Sequence, residues 1–270
     1  MRLSAQDFSW LRTLVSDRTG MYLGDDKERF VESRLEPLAA LEGVAIGALL
    51  ARARQRPANG LEHRLVEALV VHETMFFRDL HAFDALEQQV LPQLAAAREK
   101  TTKALSIWSG ACSTGQEPYS LAMLIKTLPA LSGLHVSLLA SDLSPEVLAK
   151  ARTGVYSKLE LTRGVAARRA LPHVRPAGEA FEVLEPVRKL VDFRKLNLAA
   201  PWPSLPRMDL ILLRNVLIYF SPAVRRGVYA QVRSLLSDDG LLLLGSGEMP
   251  HPDDGFEPVQ AGPALFFKKH

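Results

Sequence analysis

The sequence predicts an α/β protein with a doubly wound, mostly parallel sheet that follows an all-helical part. Two apolar runs, residues 210–213 and 241–244, lack the alternation of a half-exposed strand, as expected when helices cover both faces of a sheet. From residue 104 onward, strand-like and helix-like segments alternate, which is typical of parallel strands joined by crossover helices. Residues 4–90 instead show only helical periodicity.

The helical part opens with a helix-start signal. Ser4 and Asp7 have the spacing of an N-terminal cap. The apolar residues that follow recur at helical intervals and are Phe8, Leu11, Leu14 and Val15. We therefore predict an all-helical N-terminal domain over residues 1–90 and a polar linker over residues 91–103.

The sheet is expected in the domain formed by residues 104–270. Its predicted strands cover residues 105–108, 135–141, 210–213 and 241–244, with an antiparallel edge strand at 264–268. Short β-prone pieces around 181–184 and 187–193 interrupt the alternation of strands and helices and lie beside the turn-forming Pro176 and Gly178. They predict a small antiparallel insertion over about 155–193.

Composition limits the classes of function. The chain has 270 residues and no stretch of the roughly 20 apolar residues that a membrane helix needs, so we expect a cytoplasmic protein without direct membrane insertion. A net charge of +3 is too small to indicate nucleic-acid binding. Cys112 is the only cysteine, which excludes an internal disulfide, and we expect it to pack rather than to act as a nucleophile.

A glycine-bearing turn between the first strand and its helix predicts a cofactor site. Gly110 and Gly115 permit close ligand approach, and Pro118 suits the first turn of a helix. Glu117 stands where a phosphate would otherwise bind, which disfavours a phosphate-bearing cofactor and favours the cationic S-adenosylmethionine. The alternative is an ordinary strand-to-helix turn.

Two further strand ends carry polar residues. Asp142 ends the second strand, where nucleoside-binding folds place an acid against ribose hydroxyls, although a helix N-cap is the alternative reading. Arg214, Asn215 and Tyr219 follow the strand at 210–213 and are candidate site residues. Tyr219 could also be an aromatic packing residue beneath the next helix.

The stretch from His72 to Asp79 reads HETMFFRD and approaches the zinc-binding H-E-x-x-H pattern. Phe76 replaces its second histidine, so we predict no metal site. Thr74 and Arg78 are four residues apart, which would place them on one side of a helix or helical turn.

Five motifs in order resemble the chemotaxis receptor methyltransferase family of the CheR type. They are HETMFFRD, SGACSTGQEPYSLAM, ASDLSPEVLAKARTGVY, FRKLNL and LLRNVLIYF, and they span nearly the whole chain. The resemblance implies the class I S-adenosylmethionine-dependent methyltransferase fold, which is Rossmann-like, with a helical N-terminal domain and a small β-subdomain.

The resemblance also implies the site. The implied cofactor contacts are His72, Thr74, Arg78, Glu117, Asp142, Asn197, Leu198, Arg214 and Asn215, with Arg78 and Tyr219 in catalytic roles. The family usually has Asn at the position of His72. S-adenosyl-L-methionine is the implied cofactor and S-adenosyl-L-homocysteine its product.

The implied reaction methylates glutamate side chains on the cytoplasmic helical region of chemoreceptors, which makes the chain a protein-glutamate O-methyltransferase. The basic residues expected to steer that acidic partner are Lys27, Arg34, Arg52, Arg54 and Arg56. We expect a monomer. The alternatives are a methyltransferase for a small molecule or RNA, and a non-catalytic S-adenosylmethionine-binding signalling protein.

Overall fold

The computed structural model describes residues 3–55, 60–164 and 167–270. The chain divides into two compact units, and the division falls between Val71 and His72. The first unit consists of Met1–Val71 and Tyr219–Val224, and the second of His72–Ile218 and Arg225–His270. None of the helices in the described ranges has the length and apolar character needed to cross a membrane.

The first unit is helical, as its sequence predicts. Its α-helices are α1 (Ala5–Thr19), α2 (Glu28–Leu41), α3 (Ile46–Gln55) and α4 (Leu61–Leu69). The Ser4 hydroxyl accepts a hydrogen bond from the Asp7 N–H at 3.1 Å, which confirms the helix start. The core of this unit includes the fully buried Leu11, Val15 and Leu35.

A short segment from late in the chain completes the helical unit. Phe220 forms an isolated antiparallel bridge with Met21, and the Tyr22 N–H donates to the Tyr219 carbonyl at 2.8 Å. Met21 and Phe220 are both buried. The segment Tyr219–Val224 is therefore held by backbone hydrogen bonding as well as by apolar packing.

The second unit is built on a seven-stranded sheet in the order β6-β2-β1-β7-β8-β10-β9. The strands are β1 (Ala104–Gly110), β2 (His135–Asp142), β6 (Val191–Lys195), β7 (Met208–Leu213), β8 (Leu236–Leu244), β9 (Phe256–Ala261) and β10 (Ala264–Lys269). The first five in spatial order are parallel, whereas β10 pairs antiparallel with β8 and β9 pairs antiparallel with β10. The predicted doubly wound fold with an antiparallel edge is confirmed.

Three short strands form a separate antiparallel sheet, as the sequence predicts. They are β3 (Val155–Ser157), β4 (Val174–Ala177) and β5 (Ala180–Val183), in the order β3-β5-β4. Two sequence-based details are wrong. The piece at 187–193 overlaps strand β6 of the main sheet instead of the insertion, and the outermost strand at the antiparallel edge is β9 rather than 264–268.

The helices of the second unit cover the main sheet or join its strands. They are α5 (Leu80–Ala85), α6 (Leu91–Glu99), α7 (Gln116–Thr127), α8 (Pro145–Thr153), α9 (Lys158–Thr162), α10 (Glu185–Arg188) and α11 (Pro222–Leu235), the last of which begins in the helical unit. A π-helical stretch, Leu86–Val90, joins α5 to α6.

The expected linker at 91–103 is wrong, because most of it is helix α6. Leu91 and Leu94 are buried in the same apolar cluster as Phe83 of α5 and as Leu105 and Leu210 of the sheet. Helical periodicity reveals that a segment is helical but does not reveal which core it joins. For this reason the structure divides the chain at Val71 rather than at residue 90.

The amino ends of the central strands are tied to α6 by one arginine. Arg98 donates to the Asp209 carboxylate at 2.6 Å and to the Asp239 carboxylate at 2.5 Å. Asp209 also accepts from the Ser106 N–H at 2.8 Å. The hydrogen bond from Arg98 holds the pKa of Asp239 below its usual value.

Candidate active site

The turn after β1 needs its glycines for packing as well as for conformation. Gly115 has φ +94°, and a Cβ there would lie 2.9 Å from the Ala151 Cβ and 3.0 Å from the Tyr156 hydroxyl. A Cβ at Gly110 would lie 2.4 Å from a methyl of Leu213. The turn is therefore pressed against its neighbours, with bare backbone at the carboxyl end of the sheet.

Asp142 joins this turn to the neighbouring strand. Its carboxylate accepts from the Ser113 N–H at 2.8 Å and from the Ser144 N–H at 3.0 Å. The hydroxyl of Ser144 accepts from the Val147 N–H at 3.3 Å and caps α8. Ser113 is left-handed, with φ +50°, and its hydroxyl donates to the His72 carbonyl at 2.8 Å. The structure thus links His72 and Asp142 through hydrogen bonds from one serine.

Asn197 and Leu198 follow β6, the strand beside β2. The Leu196 N–H donates to the Asp142 carbonyl at 2.9 Å, which brings the pair to the same end of the sheet as Asp142. The Leu198 carbonyl accepts from the Trp202 indole at 3.2 Å, and that ring packs edge-on against Trp108 with centroids 4.8 Å apart.

Arg214 is the centre of an ionic network. Its guanidinium donates to the Glu117 carboxylate at 2.7 Å, to the Asp79 carboxylate at 2.8 Å and to the Arg78 carbonyl at 2.8 Å. The Ser109 hydroxyl donates to the other oxygen of Glu117 at 2.8 Å. One buried cation faces two carboxylates, so the network carries a net negative charge that favours a cationic ligand.

The segment from His72 to Asp79 is not helical, which corrects the expected helix or helical turn. It runs as irregular chain and turns until α5 begins at Leu80. Phe77 and Asp79 have φ values of +50° and +57°, a conformation that side chains other than glycine rarely adopt. The Phe77 N–H donates to the buried Ser120 hydroxyl at 2.9 Å.

The two consecutive aromatic rings of this segment are both buried. Phe76 packs edge-on against Tyr156, and Phe77 packs against Phe83. Arg78 lies between the two left-handed residues, is half-buried, and donates to the Glu73 carbonyl at 3.1 Å. Thr74 is half-buried in the same segment.

Glu248 is a site residue that the sequence reasoning missed. Its carboxylate accepts from backbone N–H groups of Asn215 and Val216, at 2.6 Å and 3.0 Å. The usable signal is its place just after the apolar run 241–244, because residues that follow a parallel strand reach the ligand crevice. Asp79, Ser113 and Ser120 were missed as well.

Tyr219 and Cys112 lie in different surroundings. Tyr219 is half-buried and belongs to the helical unit, whereas the other candidate site residues belong to the sheet-containing unit. Cys112 is buried, and this burial, together with the charges of Asp142 and Glu117, raises the pKa of its thiol well above the usual value. It packs in a buried apolar cluster with Ala140 and Leu148, which confirms its predicted packing role.

The site suits a ligand that brings positive charge and hydrogen-bond donors. The side-chain oxygen of Asn215 is buried without a partner among the described groups, so it can accept a hydrogen bond from a ligand amino group. Glu117 and Asp79 outnumber Arg214 in charge. At the carboxyl end of a doubly wound sheet, these properties suit the class of S-adenosylmethionine-dependent methyltransferases.

The chain belongs to the CheR methyltransferase family. Residues 6–70 match the family's all-alpha domain, and residues 72–264 match its S-adenosylmethionine-binding domain. The matched ranges meet near residue 71, where the structure also divides. S-adenosylmethionine is accordingly the cofactor of this chain.

Relatives of similar length carry one common description. The chain is 36% identical to chemotaxis protein methyltransferase 1 of Pseudomonas aeruginosa, with 99% of each chain covered. It is 33% identical to chemotaxis protein methyltransferase Cher2 of Pseudomonas putida, with 97% of each chain covered. It is 36% identical to the chemotaxis protein methyltransferase of Vibrio parahaemolyticus, with 98% of each covered.

Proposed function

We propose that this methyltransferase transfers a methyl group from S-adenosylmethionine to glutamate carboxylates on the cytoplasmic helical region of chemoreceptors. The product is a glutamate methyl ester, and the site of action is the cytoplasm. The observation that carries this proposal is the match of both units to relatives described as chemotaxis protein methyltransferases. A match confined to the sheet would support only methyl transfer in general.

The reaction needs no general base from the protein. A glutamate side chain is already ionised near neutral pH, because its ordinary pKa is about 4.3. When bound, S-adenosylmethionine supplies an electrophilic methyl group next to a positive sulfur. The protein must therefore bind both reactants, align them and exclude water, and the absence of a base among the predicted catalytic residues agrees with this demand.

Arg78 is proposed to orient the acceptor carboxylate. Its backbone is fixed on both sides, since the Phe77 N–H is bonded to Ser120 and the Arg78 carbonyl to Arg214. Fixing the backbone limits where the guanidinium can reach, which favours alignment over a tight ground-state pair. The hydroxyl of Tyr219 is proposed to direct one carboxylate oxygen.

The remaining site residues are proposed to bind the cofactor. Glu117 and Asp142 are acceptors for its amino and hydroxyl groups, and Asn215 offers a buried acceptor. The rest of the proposed set consists of contacts from His72, Thr74, Arg78, Asn197, Leu198 and Arg214. These are the residue types that a neutral sugar and a cationic amino acid require.

The helical unit is proposed to recognise the acidic receptor. Lys27, Arg34 and Arg52 are exposed. Arg54 is partly neutralised by Asp7 at 2.6 Å, and Arg56 lies outside the described residues. Exposed basic groups accelerate association with an acidic partner and lose this effect as salt rises.

The proposal is tested with tritiated S-adenosylmethionine and receptor-containing membranes. Base treatment should release the label as volatile methanol, because esters hydrolyse under conditions that leave N-methyl groups intact. Arg78→Ala should abolish this release, while Arg194→Ala, which alters an exposed ion pair on β6, should not. Base-stable label, or no label on the receptor, would contradict the proposed substrate.

A further inference from the structure

The carboxylate of Glu248 is the acceptor for four backbone N–H groups. One of its oxygens accepts from Asn215 at 2.6 Å and from Gly245 at 2.8 Å. The other accepts from Val216 at 3.0 Å and from Ile218 at 3.2 Å. The residue is only 9% exposed, so these groups replace water as its solvent.

These four donors lie beyond the ends of strands β7 and β8. Asn215 follows β7 with a left-handed φ of +58°, and a short 3-10 helix, Leu217–Tyr219, comes next. N–H groups at the start of a helical turn lack partners within it and carry partial positive charge. A buried carboxylate supplies both the missing acceptors and the opposite charge.

Gly245, three residues before Glu248, is fitted to the same cluster. A Cβ at Gly245 would lie 2.7 Å from the Asn215 side-chain nitrogen, 2.7 Å from a Glu248 oxygen and 2.9 Å from the Asn215 backbone nitrogen. No side chain fits there without moving one of the three atoms. Two independent features, a carboxylate and a missing side chain, therefore converge on the backbone of Asn215.

We propose that Glu248 is a positioning residue for the cofactor site. It holds the backbone of Asn215 in its left-handed conformation, so that the buried side-chain oxygen of Asn215 stays available to the cofactor. This inference rests on the proposed role of Asn215 as a cofactor contact. Glu248 acts through Asn215, because its four recorded contacts are all to backbone.

The first test is Glu248→Gln, measured as S-adenosylhomocysteine affinity by calorimetry. Glutamine has the same shape, but its amide nitrogen would face N–H donors and the charge would be lost. We expect affinity to fall by about 10- to 100-fold, the effect of losing charge-assisted hydrogen bonds. The matched control is Asp254→Asn, another buried carboxylate, which caps a neighbouring turn through the His251 N–H at 2.7 Å and should leave affinity unchanged.

A double-mutant cycle separates positioning from general stability. In the Asn215→Ala background, Glu248→Gln should cost much less affinity than in the parent, because the group it positions is gone. Gly245→Ala keeps the carboxylate and should lower affinity as Glu248→Gln does. It serves as the test if Glu248→Gln fails to fold. Parent-like affinity in both folded variants, or an undiminished cost in the Asn215→Ala background, would overturn the proposal.

The readout separates this inference from the proposed function. S-adenosylhomocysteine binding is measured without a receptor, so failure to methylate receptors would leave the Glu248 result intact. Conversely, normal ester formation on receptors with no change of affinity in Glu248→Gln would remove only the positioning role. In kinetics, the variant should raise KM for S-adenosylmethionine more than it lowers kcat.

Discussion

Arg214 and Glu117, two residues of the predicted cofactor site, form an ion pair with an N–O distance of 2.7 Å. Arg214 follows β7, Glu117 lies in the first turn of α7, and only 1% of the arginine side chain is exposed. The same guanidinium reaches Asp79 at 2.8 Å. A single cation therefore pairs with two carboxylates from separate parts of the chain.

Arg214→Met should reduce the free energy of unfolding by about 3 kcal/mol, because breaking a buried pair leaves an uncompensated charge. Adding Glu117→Gln should recover part of this loss. Urea denaturation measures both effects. Arg194→Met, at an exposed pair, should change stability little, and an equal loss in the two single variants would contradict the network's importance.

Asp142→Ala should weaken both S-adenosylmethionine and S-adenosylhomocysteine, because it removes an acceptor and frees the Ser113 N–H. We expect saturating ligand to stabilise the parent by about 1–3 kcal/mol and the variant by less. Thermal melts with each ligand measure the difference. Asp192→Ala, on the exposed face of β6, is the control, and an undiminished ligand shift in Asp142→Ala would remove the predicted ribose contact.

Tyr219→Phe should lower turnover more than it weakens cofactor binding, because it removes one hydroxyl from the methyl-transfer step. Initial rates at saturating S-adenosylmethionine and calorimetry with S-adenosylhomocysteine separate the two quantities. Tyr22→Phe is the control, since Tyr22 contacts Tyr219 through its backbone N–H. Parent-like turnover in Tyr219→Phe would leave Tyr219 with a packing role alone.

Asp239→Asn should destabilise the protein near neutral pH and lose this effect in acid. The pKa of Asp239 is held below 3.8 in the folded state by Arg98, so its contribution is present above the unfolded-state pKa and disappears as pH falls through the folded-state value. The carboxylate is 55% exposed, which limits the loss at pH 7 to about 0.5 kcal/mol. Urea titrations of parent and variant from neutral pH down to below the folded-state pKa of Asp239 test this prediction. A stability difference that does not change with pH would contradict it.

The sequence predicted the sheet, because its strands follow from local patterns, whereas several site residues were named only through the resemblance to the CheR family. Apolar runs without alternation identified the strands around 210–213 and 241–244, and these are buried as expected. Strand β6 was assigned to the insertion because it is short and lies in a stretch where the strand-helix alternation breaks; its burial pattern is that of a partly exposed edge strand. Edge strands carry a weaker periodic signal than central ones.

The site was harder to predict where tertiary contacts override local preference. No pattern in HETMFFRD indicates that Phe77 and Asp79 adopt left-handed backbone, since that depends on contacts from Ser120 and Arg214. Similarly, Glu248 is distant in sequence from three of the four backbone N–H groups that donate to it. Residues that act by holding a loop can be found only when both partners are seen together.

The return of Tyr219–Val224 to the helical unit affects how relatives could exchange their halves. A recombination at residue 71 would transfer helices α1 to α4 without the segment 219–224. That segment pairs with the connection between α1 and α2. In such a hybrid, Met21 would meet a foreign residue in place of Phe220. A chimaera that carries residues 219–224 along with the first helices should therefore fold better than one that does not.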